Sequence, residues 1–164
     1  MENRKRNQKG FSLIELLIAV AIILVVAAIA IPNLLQARVS SNESSAVASM
    51  RTIGIAMISY NSKYWAVGFA PTLAALGGTS CAPATQASAC LIDTVLASGT
   101  KNGYTFTATS IGSAPAEQYF AVALPIASSA NRSFCITEAG VIYYDPTGSA
   151  IPSHDSCIAL TPLQ

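Results

Sequence analysis

Charged residues are scarce in this sequence, and their scarcity limits the classes of protein to consider. Only 10% of the 164 residues are charged, whereas 52% are hydrophobic; soluble domains average roughly 25% charged residues. A shortfall of this size indicates either a membrane segment or a protein that buries much of its surface against copies of itself. The length allows one ordinary domain with an appendage and excludes two full domains.

Basic residues are also sparse in the part of the chain that would fold. Met1–Gly10 contains four Lys or Arg residues and one acid, whereas the rest of the chain contains five basic and seven acidic residues. A nucleic-acid-binding protein concentrates its basic residues in the folded part. This distribution argues against a nucleic-acid partner.

Histidine occurs once, as His154 in a loop that also contains Pro, Ser and Asp. A Ser-His-Asp or Cys-His catalytic arrangement would rest on that side chain alone. The sequence also lacks a Gly-Lys-Ser/Thr phosphate loop, a Gly-x-Ser-x-Gly elbow, a His-Glu-x-x-His motif and a Cys-x-x-Cys pair. We therefore predict that the chain is not an enzyme, uses no cofactor and holds no zinc.

The dominant feature that is present is an apolar run, Phe11–Ile31, whose single charge is Glu15. As a helix it would be about 31 Å long, which matches the roughly 30 Å hydrocarbon core of a bilayer. Its Leu, Ile, Val and Phe residues together contribute about −4 to −8 kcal/mol to insertion, more than the roughly +3 kcal/mol cost of a central acid. We predict a membrane helix with its basic leader in the cytoplasm and the remaining chain across the membrane.

Three interpretations of this segment compete. A secretory signal peptide has a shorter apolar core followed by a small-residue cleavage site, and here Ile31-Pro32-Asn33 follows the core. An uncut anchor, carrying an outer domain that binds a ligand or partner as a monomer, fits the hydropathy equally well. The third interpretation is a cleaved leader. It depends on the boundary Lys9-Gly10-Phe11-Ser12-Leu13-Ile14-Glu15-Leu16, where a glycine separates the basic stretch from the apolar run.

The stretch KGFSLIELLIAVAIILVVAAIAIPNLLQAR resembles the N-terminus of type IV pilins and of type II secretion pseudopilins. The resemblance implies that a prepilin peptidase cuts between Gly10 and Phe11, that Phe11 is then N-methylated, and that Glu15 is needed for assembly. Ser12 departs from the threonine that is common at its position. The implied product is a homo-oligomeric helical filament.

The resemblance also implies where the chain is found and what it does. It implies a single-pass precursor in the bacterial inner membrane, from which pilus or secretion machinery builds an extracellular or periplasmic filament. A type IV pilus subunit serving adhesion, motility or uptake is the leading interpretation. A type II secretion pseudopilin or a minor pilin is the alternative, although the long Ala/Ser/Thr loop and the four cysteines favour a surface pilus.

Glu15 supports a physical argument of its own. A carboxylate in hydrocarbon is costly unless it is paired, so such a residue usually marks a functional site. Cleavage after Gly10 would create an α-ammonium group on Phe11, four residues before Glu15 and on the same helix face. In a filament, the Phe11 ammonium of a neighbouring subunit could be the partner and would fix the axial register. The alternative is a carboxylate that only extends to the membrane surface.

Pro32 interrupts the apolar pattern and should kink or loosen the helix over Ala28–Ile31. Beyond it an apolar stripe recurs at steps of three, four or seven: Val39, Ala46, Met50, Ile53, Met57, Tyr60 and Tyr64. The opposite face is assigned the polar residues Ser41, Glu43, Ser44, Arg51 and Ser62. An amphipathic helix over 33–62 must cover another element.

Four period-two runs predict that element to be an antiparallel sheet over 104–145: Tyr104–Thr109, Tyr119–Leu124, Ser133–Thr137 and Val141–Tyr144. The predicted class is α+β, a long N-terminal helix packed on a four-stranded sheet, and the resemblance implies the same pilin fold. The plan comprises a leader over 1–10, a membrane and assembly helix over 11–32 and an extracytoplasmic domain over 33–164. Within that domain, a variable loop occupies 63–103, with short helices at Thr72–Leu76 and Cys90–Leu96, and a C-terminal loop occupies 146–164.

The four cysteines all lie on the non-cytoplasmic side, where an even count favours disulfides. Three pairings are possible. We favour Cys81–Cys90, which closes an Ala/Thr-rich segment, and Cys135–Cys157, which resembles the C-terminal disulfide loop of many pilins. Asp145 and Asp155 could share a calcium ion, as a C-terminal loop does in the major pseudopilin. Acids in surface turns are the commoner explanation, so no metal is predicted.

Overall fold

A computed structural model describes residues 10–78 and 81–163, so Met1–Lys9 of the predicted leader lie outside the described residues. The chain divides into two compact units, Met1–Ala37 and Arg38–Gln164. The helices are α1 Leu13–Lys63, α2 Leu73–Leu76, α3 Thr94–Ala97 and α4 His154–Ile158, with a 3₁₀ turn at Ala127–Ser129. The strands are β1 Thr100–Lys101, β2 Tyr104–Ile111, β3 Gln118–Pro125, β4 Ser133–Thr137, β5 Ile142–Asp145 and β6 Thr161–Pro162.

The part of α1 within the first unit is apolar on all sides. Its most apolar 18 residues have a mean hydropathy of 3.1, and none of them is buried. Among the described residues, α1 is therefore the helix long and apolar enough to cross a membrane. Pro32 lies inside α1 and does not end it; the kink remains a prediction.

The second unit contains the amphipathic part of α1, and its apolar stripe forms one side of the core. Five stripe residues are buried, namely Ala46, Met50, Ile53, Met57 and Tyr60, whereas Val39 and Tyr64 are partly exposed. The core opposite them comes from alternate residues of the sheet, including Tyr104, Phe106, Tyr119, Phe134 and Ile136. The prediction that the helix covers the sheet is thus confirmed.

Gly54 permits a close approach of helix to sheet. A β-carbon added there would lie 2.8 Å from Cδ1 of Ile136 and 3.4 Å from the hydroxyl oxygen of Tyr119. A larger residue would force the Ile136 side chain to move. Glycine therefore allows α1 to pack directly on β3 and β4.

The six strands form one antiparallel meander in the order β1-β2-β3-β4-β5-β6. The predicted count of four strands was wrong, because β1 and β6 were missed. Each extra strand has two residues and pairs at an edge, Thr100–Lys101 with β2 and Thr161–Pro162 with β5. A strand of two residues is too short to show a period-two pattern. These edge strands form because the neighbouring strands pair with them. The sheet consequently extends into both predicted loops.

The connection between α1 and the sheet contains two capped helical turns. At α2, Thr72 is the N-cap and its hydroxyl accepts a hydrogen bond from the Ala75 N–H. At α3, a carboxylate oxygen of Asp93 accepts a bond of 2.8 Å from the Leu96 N–H. An N-cap residue precedes the first helical residue, so α3 begins at Thr94 and not at Cys90 as predicted.

A second, smaller cluster covers the other face of the sheet. Val122 and Cys135 of the sheet are buried with Ile151 and Cys157 of the C-terminal segment. The Cys135–Cys157 disulfide joins the two sides of this cluster. Both faces of the central strands are therefore covered within the second unit.

The core on the helix side generates a prediction about stability. Ile53 is fully buried whereas Ile55, two residues away on the same helix, is 67% exposed. Ile53→Ala should lower the free energy of unfolding by about 2–5 kcal/mol because it leaves a cavity. Denaturant unfolding of the full chain in detergent micelles, followed by near-UV circular dichroism, measures the change. Ile55→Ala is the matched control and should stay within about 0.5 kcal/mol; equal losses would contradict the described packing.

Candidate assembly site

Glu15 lies in the first turn of α1, where it contacts the start of its own helix. Its Oε2 accepts a hydrogen bond of 2.9 Å from the backbone N–H of Ser12, the residue before the first helical position. This is one half of a capping box, in which an acid at the third helical position satisfies the N-cap N–H. A carboxylate at that end also interacts favourably with the helix dipole.

The sequence interpretation of Glu15 omitted this local role. Ser12-Leu13-Ile14-Glu15 has the Ser-x-x-Glu spacing that marks a capping box before an apolar run, so the signal was present. In the uncut chain the carboxylate thus has a hydrogen-bond partner within its own segment. A test of Glu15 in assembly must therefore separate the loss of its charge from the loss of this capping contact.

The predicted cleavage position is exposed and precedes the helix. Gly10 is exposed, Phe11 is 90% exposed, and α1 begins only at Leu13. A peptide bond outside regular helix is more readily bound by a protease than one inside it. Glu15 lies in the exposed apolar segment that follows this cleavage position.

Glu43 lies in the second unit, and the prediction that it lies on the helix face opposite the apolar stripe was wrong, because it is buried. Its side chain is 11% exposed, with Oε2 3.2 Å from Nε of Arg132, and Oε1 accepts a bond of 3.1 Å from the Asn131 N–H. Glu43 precedes Ala46 by three residues and Met50 by seven, so the helical spacing did place it beside the buried stripe. Because glutamate is polar, the apolar pattern did not include this position.

Further hydrogen bonds beside Glu43 fasten α1 to the loops of the sheet. Nδ2 of Asn42 donates to the Ser129 carbonyl oxygen at 2.8 Å, and Nδ2 of Asn102 donates to Oγ of Ser45 at 2.7 Å. We call this set the polar latch: Asn42, Glu43, Ser45, Asn102, Ser129, Asn131 and Arg132. The latch joins the start of the domain's helix to two loops that are distant in sequence.

The structure joins the cysteines in the two pairs that the sequence favoured. One disulfide links Cys81 to Cys90 and the other links Cys135 to Cys157. The first closes the loop whose Gln86 carbonyl accepts a hydrogen bond of 2.8 Å from the Tyr60 hydroxyl of α1. The second attaches α4 to β4.

The acids considered for calcium have local contacts. Oδ1 of Asp145 accepts hydrogen bonds from the N–H and the hydroxyl of Thr147, which makes a turn stabilised by a side chain. Asp155 lies 3.3 Å from Nδ1 of His154, in a different part of the C-terminal segment. Within residues 10–78 and 81–163, no group of three or more His, Cys, Asp or Glu side chains could hold a metal ion.

Comparison with known proteins identifies the class of the N-terminal segment. The family described as "Prokaryotic N-terminal methylation motif" matches residues 5–31. That match covers the exposed Gly10–Phe11 bond, the capping acid Glu15 and the whole apolar run. The same chain contains a long helix whose first part is apolar and whose second part packs on a sheet.

A curated relative narrows the class. The chain is 62% identical over 39 residues to the "Type IV wide pilus major component PilA4" of Thermus thermophilus. The match covers 24% of this chain, and it spans only 30% of the relative's length. No solved structure matches the chain significantly. The chain is thus similar to a prokaryotic N-terminal methylation motif over residues 5–31 and, over 39 residues, to a type IV pilus component.

The polar latch generates the next prediction. Glu43→Ala would remove the acceptor of the Asn131 N–H, and because this bond is only part-buried its net contribution is that of an ordinary hydrogen bond, about 0.5–1.5 kcal/mol. Arg132 is 45% exposed, so the ion pair itself contributes little. We expect a loss of about 0.5–1.5 kcal/mol in denaturant unfolding of the full chain. Glu117→Ala removes an exposed acid and should have almost no effect; similar losses for both variants would exclude the latch.

Proposed function

We propose that this chain is the structural subunit of a type IV pilus. In this proposal it enters the inner membrane as a precursor, is cut after Gly10 and polymerises through α1. The observation that carries the proposal is the apolar first part of α1, whose most apolar 18 residues are all unburied, which has Glu15 in its first turn, and which overlaps a methylation motif at residues 5–31. The comparisons are with a modification motif and a filament component, which supports a structural rather than an enzymatic role.

The exposed surface of α1 is the physical reason for polymerisation. Side chains such as Leu13, Ile23 and Ile29 are each more than 60% exposed. Apolar surface in water is unfavourable by about 25 cal/mol per Å², so this segment requires lipid or other apolar helices around it. In the membrane, lipid covers it. In a filament, the same segments of neighbouring copies replace the lipid.

Processing would change the charge at the start of the helix. Cutting after Gly10 removes the basic leader and leaves an α-ammonium group on Phe11, which is then methylated and keeps its charge. We propose that Glu15 of one copy pairs with the Phe11 ammonium of another. An unpaired charge among packed apolar helices would cost several kcal/mol, so this pairing would set the axial position of each added copy.

The proposed partners and locations follow from these steps. A prepilin peptidase acts on the precursor while its leader is cytoplasmic, and a pilus assembly machinery extracts the processed subunit from the inner membrane. The domain lies outside the cytoplasm, where disulfides persist. The relative is named as a major component of a wide pilus, which supports a major pilin over the alternatives of a pseudopilin or a minor pilin.

The first test concerns processing. Coexpression with a prepilin peptidase should shorten the chain by Met1–Gly10 and add one methyl group at Phe11. Intact-mass measurement of the membrane fraction detects both changes. Omitting the peptidase provides the control and should leave the full mass. A chain that stays uncut with an active peptidase would instead favour an uncut anchor that carries a binding domain.

The second test separates the capping role of Glu15 from its charge. Glutamine can still accept the Ser12 N–H bond but carries no charge, whereas alanine can do neither. If pairing with Phe11 drives assembly, Glu15→Gln and Glu15→Ala should both be processed yet yield at least about ten-fold less filament, since several kcal/mol is lost. Sheared-filament yield, normalised to processed subunit, is the measurement. Normal yield from Glu15→Gln together with low yield from Glu15→Ala would contradict the pairing and favour capping.

A further inference from the structure

His154, the single histidine of the chain, lies at the start of α4 between two carboxylates. Its Nε2 lies 3.1 Å from both Oε1 and Oε2 of Glu138. Its Nδ1 lies 3.3 Å from Oδ1 of Asp155. The His154 side chain is only 13% exposed, so these carboxylates replace much of the water that would otherwise solvate the ring.

The two contacts specify the protonation state of the ring. An ionised carboxylate only accepts hydrogen bonds, and a neutral imidazole donates from one nitrogen only. Both nitrogens face carboxylate oxygens here. Only the imidazolium form, with a proton on each nitrogen, makes both contacts favourable. The arrangement is therefore built for the charged form.

The position of this contact gives it a structural role. Glu138 follows β4 directly, and His154 is the first residue of α4. Three residues after His154, Cys157 forms the disulfide to Cys135 in β4. One end of α4 is thus attached covalently and the other by an ionisable contact.

We propose that His154 and Glu138 form a pH-dependent clip, which holds the N-terminal end of α4 and the preceding segment against the β4–β5 turn most firmly while His154 is protonated. When the ring loses its proton it loses the ion pair and can donate to only one carboxylate, so the hold weakens and this segment is released more often. The disulfide keeps Cys157 in place in both states. Release is therefore local and concerns the residues before Cys157. This inference does not depend on the proposed function.

The surrounding groups set the direction of the pH dependence. Burial by itself lowers the pKa of His154, but the hydrogen bonds and charges of Glu138 and Asp155 outweigh it and raise the pKa above 6.5. The two grooves beside the contact, of about 460 and 660 Å³, contain the further acid Glu117 and no Lys or Arg among their lining residues. Tyr143 of β5 packs on the cluster beneath α4.

The sign follows from linkage. A histidine whose pKa is raised by folding stabilises the folded state fully below the unfolded value near 6.5. That contribution is lost as the pH rises through the folded value. The clip is therefore closed in mild acid and open above the folded pKa of His154.

The test follows the single histidine by NMR in the full chain. With ¹³C-labelled histidine in detergent micelles, one ring resonance reports the titration of His154. We expect its midpoint above 6.5 in the unmodified chain and a clear fall in Glu138→Gln, where burial remains but the charge of Glu138 is gone. Asp145→Asn removes an acid at the opposite end of β4, beside Ser133, and should leave the midpoint unchanged.

Hydrogen exchange measures release itself. Amide protection over residues 150–156, corrected for the intrinsic pH dependence of exchange, should fall several-fold as the pH rises through the His154 midpoint. Protection of β3 should not change. In Glu138→Gln the protection of residues 150–156 should be low both below and above the midpoint of the unmodified chain. A midpoint at or below 6.5 in the unmodified chain, the same midpoint in Glu138→Gln, or pH-independent protection would each overturn the proposal.

Discussion

The apolar surface of α1 within the first unit is the constraint on which the other features depend. A helix segment with a mean hydropathy of 3.1 and no buried side chain is stable only where water is excluded. A bilayer meets that requirement for a single chain, and packed copies meet it in the proposed filament. The same constraint makes any charge within the segment costly, so the position of Glu15 at the very start of the helix lowers its cost and leaves it beside the residue that processing would turn into a cation.

The second part of α1 solves a different problem. Its buried stripe meets the inner face of the sheet, and Gly54 lets the two approach closely. Around this core the polar latch fixes the beginning of the domain helix to two loops, and the Cys135–Cys157 disulfide fixes the C-terminal segment on the outer face. Burial of apolar surface stabilises the fold without selecting particular partners, because the hydrophobic effect is non-directional. Hydrogen bonds and disulfides determine which loop contacts which element.

Ionisable groups are few in this chain, and several that contact one another connect elements that are distant in sequence. Glu43 joins α1 to Asn131 and Arg132, and His154 joins α4 to Glu138. Glu15 differs, because its partner Ser12 lies within its own helical turn. A carboxylate with only a local partner can exchange that partner for another at little structural cost. Glu43 lacks this freedom, because its partners Asn131 and Arg132 belong to a loop that is distant in sequence, and release would separate α1 from that loop.

The sequence by itself determined the membrane-length helix, the buried stripe of α1 and four of the six strands, because each has a pattern confined to neighbouring residues. The tertiary structure alone decided the two-residue edge strands, which exist only because β2 and β5 offer them hydrogen bonds. It also decided that Glu43 is buried, since its partner Asn131 lies 88 residues away. The contact between His154 and Glu138 likewise depends on the fold of the C-terminal segment over β4. Periodicity describes how a segment presents its side chains, but burial and charge pairing depend on which distant segment those side chains meet.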